Sequence, residues 1–162
     1  DGGVDEYEKI LASFYKTEDN ALRKYPLTSL GAAPGRELKL RTLDWAVKSG
    51  DIKLQDFFYP IGAVSGNAAG VNMTWQYYQD NFEYIKEKLA KASPSLMDAV
   101  IVYSTNRFCT MERAAEMEAF FEAHPLPQSA RRIAQSLENM RTNAQMLQRI
   151  ADSKLADAAF WA

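Results

Sequence analysis

Two long stretches of this chain repeat apolar residues in steps of three and four, and that spacing decides most of what it can fold into. From Ala68 to Lys91 the apolar side chains Val71, Trp75, Tyr78, Phe82, Ile85 and Leu89 follow one another at steps of 4, 3, 4, 3 and 4. From Ser129 to Ala151, Ile133, Leu137, Met140, Ala144, Leu147 and Ile150 do the same at 4, 3, 4, 3 and 3. Such steps put side chains on one stripe of an α-helix, whereas a strand needs a period of two. No run in the chain alternates in the strand manner. A coiled coil would use the same spacing, but both stretches are short for one.

The remaining segments read as shorter helices. Val4 to Lys16 carries Tyr7, Ile10, Leu11, Phe14 and Tyr15. Glu18 to Leu30 is expected to be kinked or interrupted by Pro26. Arg36 to Lys48 turns Leu40, Leu43 and Val47 inward and stops at Gly50. Asp51 is the expected cap of a helix over 52–64, bent at Pro60. Ser93-Pro94 opens a helix to about Thr105, Thr110 caps one from Met111 to Ala123, and His124-Pro125 stops it. Asp152 to Trp161 is expected to form a last short helix. The fold class expected is therefore all-α: about nine helices in one domain over residues 1–162, stacked in pairs as an irregular α-solenoid of the HEAT or armadillo kind, with a closed bundle as the alternative.

Charge and composition exclude several function classes. Nineteen Lys and Arg against 21 Asp and Glu leave a net charge of −2, and the longest basic run is Arg131-Arg132. A nucleic-acid binder needs a clustered basic surface, so none is expected as a partner. No stretch approaches the length of apolar sequence that spans a membrane. Asp1 to Glu6 lacks the basic and apolar regions of a signal peptide. The single Cys109 cannot form an internal disulfide, which fits a reducing compartment.

Few residues offer chemistry. A zinc site needs three or four protein ligands, and the chain has one His and one Cys besides its carboxylates. His124 falls at a helix C-terminus, where its charged form suits the helix dipole. Cys109 precedes a helix start, yet a free cysteine is usually a small buried hydrophobe. A hydrolase using Cys109 and His124 would be the minimal catalyst the composition permits. Glu112, Glu116, Glu118 and Glu122 place carboxylates at i, i+4 spacing, which reads as a solvated face. Met111, Met117, Met140 and Met146, like Tyr77-Tyr78 and Phe120-Phe121, sit at core-like spacings. Ser65 to Gly70 lacks the Lys-Ser/Thr ending of a phosphate loop.

Five motifs in order carry a resemblance. They are Arg41-Thr42-Leu43-Asp44-Trp45-Ala46, Asp56-Phe57-Phe58-Tyr59, Trp75-Gln76-Tyr77-Tyr78-Gln79-Asp80-Asn81-Phe82, Glu118-Ala119-Phe120-Phe121-Glu122-Ala123-His124-Pro125, and Gln135 to Ala144 with its Glu138-Asn139-Met140 centre. Over roughly residues 22–155 the chain resembles the C-terminal helical domain of puromycin-sensitive-type zinc aminopeptidases, relatives of alanyl aminopeptidase. Met146 stands where that family carries Trp.

The resemblance implies the distal part of a larger domain, without the catalytic half. The family's H-E-x-x-H zinc motif and G-x-M-E-N amine motif do not occur here. No catalytic, cofactor-binding or metal-binding residue is therefore carried over. Zinc is expected in the catalytic domain of the parent enzyme, and that domain is the expected partner within the same polypeptide. The implied role is to close a substrate chamber and help bind peptides, with Arg107, Arg132, Glu138 and Arg141 as the expected peptide-contacting residues. A cytoplasmic home is implied as well. The apolar face of Val4 to Lys16 is expected to be exposed at a truncated end and to drive dimerisation. A free-standing helical adaptor for another protein is the alternative reading.

Overall fold

A computed structural model describes residues 2–161, and among them there are nine α-helices and no strand. They are α1 (Val4–Lys16), α2 (Lys24–Ser29), α3 (Arg36–Lys48), α4 (Phe58–Ser65), α5 (Ala68–Asp80), α6 (Phe82–Leu89), α7 (Pro94–Thr105), α8 (Met111–Ala123) and α9 (Ala130–Ala151). The described chain divides into two compact units, one up to Thr105 and one from Asn106.

In the first unit, α4 is the hub and touches α2, α3, α5 and α7. An eight-residue helix can have four neighbours only if they come close, and glycine supplies the clearance. Gly31 and Gly70 both pack against the Ala63–Val64 backbone; a methyl group on either would overlap it. Around this hub lie Leu43, Val47, Phe57, Val64 and Ile101, with Trp75 and Tyr78 of α5 stacked at 5.7 Å. Each large side chain buried here contributes about 2–3 kcal/mol of transfer free energy.

α1 starts and ends as its sequence suggests, but its apolar face is largely taken up inside the unit. Tyr7 and Phe14 are buried. The Tyr7 hydroxyl pairs with Thr42 Oγ1 at 3.0 Å, and Phe14 meets Trp45 edge-on at 5.0 Å. Val4 and Tyr15 remain exposed. A buried lysine and a half-buried one close two other helix ends. Lys39 Nζ donates to the carbonyls of Gly31 and Ala33, which end the 3-10 turn Leu30–Ala32. Lys88 Nζ donates to the Val47 carbonyl at the end of α3 and lies over the Phe57 ring. Burial pushes both amines below the usual lysine range, and the carbonyls they cap would otherwise lack partners.

Four expectations need correction. The helix expected from Ala68 to Lys91 is two, because Asn81 leaves helical geometry (φ −116°, ψ 19°) and its amide bonds back to the Tyr77 carbonyl at 2.9 Å. Pro26 and Pro60 do not break helices. Each sits in the first turn of α2 or α4, where a missing N–H costs nothing, so the helices begin beside them. Asp51 caps no helix; its carboxylate accepts from the Tyr15 hydroxyl at 2.6 Å, and that oxygen in turn accepts from Trp45 Nε1 at 3.0 Å. The last segment forms two 3-10 turns, Lys154–Ala156 and Ala158–Phe160, rather than a helix. Asp1 and Ala162, the ends of the domain expected over residues 1–162, lie outside the described residues.

The second unit is built on α8 and α9. Thr110 Oγ1 accepts from the Arg113 amide and caps α8. Ala114, Met117 and Phe121 of α8 are buried, as are Ile133, Leu137 and Met140 of α9. Beyond Arg141 the α9 stripe is no longer covered: Met146, Leu147 and Ile150 are exposed. A 22-residue helix is about 33 Å long, while the 13 residues of α8 reach about 20 Å, so the end of α9 outruns its partner.

Candidate functional site

A concave surface forms in the second unit at the turn between α8 and α9. Pro125 cannot continue α8, and Pro127 starts the 3-10 turn Pro127–Ser129 that connects it to α9. Between them lies an open groove of about 360 Å³. Phe121, Leu126, Ile133, Ala134 and Leu137 line it with carbon, and Glu118 and Glu122 line it with carboxylates. Arg141 Nη2 donates to Glu118 Oε2 at 2.7 Å and fixes α9 against α8. Both side chains are partly exposed, so the pair contributes well under 1 kcal/mol and serves mainly as a register mark.

The four residues singled out from sequence all fall in this unit but do not converge. Arg107 is exposed in the segment before α8. Glu138 and Arg141 are one turn apart on α9, where Glu138 is exposed and accepts weakly from Gln135 at 3.5 Å. Arg132 is exposed in the first turns of α9, about 180° around the helix from Arg141. None of the four lines the groove. The groove itself was not foreseen, since Phe121 and Leu137 read as core and Glu118 and Glu122 as a solvated face. The one signal for it was Pro125-Leu126-Pro127, the rigid connection between two helices whose facing sides are apolar.

The candidate chemical residues take structural places. His124 Nδ1 is 3.0 Å from the Phe120 carbonyl, and the ring stacks on Phe120 at 4.5 Å, which closes the C-terminus of α8. Cys109 is partly buried before the Thr110 cap. Among the described residues no three His, Cys, Asp or Glu side chains are grouped to hold a metal ion. No described helix is long and apolar enough to cross a membrane.

In the first unit the Trp75 to Phe82 motif builds a polar tie. Tyr77 Oη donates to Asp44 Oδ1 at 2.8 Å, and Lys48 Nζ meets the same carboxylate oxygen at 2.7 Å. Burial alone would make the Asp44 carboxyl a weaker acid, but Lys48 and Tyr77 outweigh it and hold its pKa below the ordinary value. Burial pushes the Tyr77 and Tyr78 hydroxyls far above the usual tyrosine range, so both stay protonated. The motif is a joint between α3 and α5, with Trp75 and Tyr78 as its buried anchors.

Residues 1–142 match the family model described as the ERAP1-like C-terminal domain. The chain is 26% identical over 148 residues to the alanine/arginine aminopeptidase of Saccharomyces cerevisiae, covering 91% of this chain and 17% of that protein. It is 28% identical over 144 residues to aminopeptidase M1 of Arabidopsis thaliana, covering 89% and 16%. Against endoplasmic reticulum aminopeptidase 1 of Rattus norvegicus it is 25% identical over 147 residues, covering 90% and 15%. The chain thus spans about one sixth of the length of the relatives it matches.

Proposed function

This chain belongs to the ERAP1-like C-terminal domain family, and from that premise we propose that it is the distal part of the non-catalytic C-terminal domain of a zinc-dependent aminopeptidase. In this reading both units belong to one α-solenoid domain. Its partner is the catalytic domain of the same polypeptide, and its role is to close the substrate chamber and hold the peptide beyond the residue being cleaved. The observation that carries the reading is the match itself: nearly the whole chain aligns, yet only to 15–17% of each aminopeptidase. Zinc, held in the catalytic domain, would supply the activated water that releases the N-terminal residue. The chain's own part is positional. Domain closure of this kind gates many enzymes without contributing a reacting group.

Arg107, Arg132, Glu138 and Arg141 are the side chains to which we assign peptide contact. Arg107, Arg132 and Glu138 are exposed and Arg141 is half-exposed beside Glu118, and their spread over different faces means that a peptide touching all of them would have to bridge more than one helix face. A cytoplasmic setting fits the single cysteine and the family reading.

Two experiments test this. An antibody against the chain, used on an extract of the source cells, should detect a polypeptide several times larger than 18.3 kDa that co-purifies with zinc and with hydrolysis of alanyl peptides. A band at the chain's own size, with neither metal nor activity, overturns the reading in favour of a free-standing adaptor. In the intact enzyme, alanine at Arg107, Arg132, Glu138 and Arg141 should raise KM for long peptides and leave a single-residue chromogenic amide unaffected. Unchanged KM for both classes would remove the four residues from the proposal.

A further inference from the structure

We draw no further inference here: the strongest candidate, the half-buried aromatic face of α4 and α7 where Phe58 stacks on Tyr103 at 5.7 Å and Gly62 lies against the same ring, carries nothing because nothing in the structure shows what covers it.

Discussion

Substituting Gly70 by alanine sets two physical arguments against each other with opposite signs. Gly70 lies in the first turn of α5, and helix propensity alone says that alanine there stabilises by about 1 kcal/mol. The packing says otherwise. A β-carbon at this position would stand 1.8 Å from the Val64 carbonyl oxygen and 2.7 Å from its carbon. The obstacle is backbone, so no rotamer change relieves it; α4 and α5 must part by more than about 1 Å. Overpacking that flexible neighbours can absorb costs about 1–3 kcal/mol, and a rigid neighbour places this case at the upper end. Against the propensity gain, a net loss of about 2 kcal/mol remains, a factor of about thirty in the folding equilibrium. Urea unfolding followed by tryptophan fluorescence reads this directly, because Trp45 and Trp75 are both buried in the first unit. Gly50→Ala is the control. Gly50 has φ 81° with no atom near a would-be β-carbon, so alanine should cost only the backbone strain of about 1–2 kcal/mol. A Gly70→Ala chain as stable as the parent, or more so, would refute the claim that close approach of α4 and α5 organises this unit.

Further outcomes follow from the polar contacts. Tyr77→Phe removes one donor from Asp44 while Lys48 and water remain, so the loss at neutral pH should be about 1 kcal/mol. Asp44 is held below its unfolded value. Its stabilisation is therefore full above the ordinary carboxylate range and drains as pH falls through that range and beneath it, and the acid limb of stability against pH should be shallower in Tyr77→Phe. Asn67→Ala deletes the side-chain acceptor for the Gly70 amide and should cost about 1 kcal/mol in urea unfolding. Arg141→Ala breaks a half-exposed ion pair and should change stability by less than about 0.5 kcal/mol, so an effect on long-peptide KM in the intact enzyme would report contact rather than misfolding.

Helix positions were legible in the sequence wherever a local signal fixed an end. α3 ends, and α8 begins and ends, where their stops and caps stand: Gly50 after α3, Thr110 before α8, His124-Pro125 after it. The break at Asn81 was hidden for a physical reason. Tyr78, Phe82, Ile85 and Leu89 are all buried across the joint, so the three-and-four rhythm continues through a non-helical residue and periodicity cannot see it. The two prolines misled because position within a helix, not presence, decides their effect. The tail from Asp152 is alanine-rich, but helix propensity without an apolar face to bury settles into 3-10 turns. The groove had almost no signature, because a cavity is a property of the angle between two helices and neither sequence states that angle.

The hub position of α4 has a consequence for synthesis. As the chain leaves the ribosome, α2 and α3 are available to α4 at once, but α5 and α7, its other neighbours, are still to come. Until the residues through Thr105 have emerged, one side of Phe58–Ser65 has nothing to lie against. That side carries aliphatic and aromatic groups and no charge. It is the segment at which a holding chaperone would meet the nascent first unit, and at which a stalled chain would first stick to its neighbours.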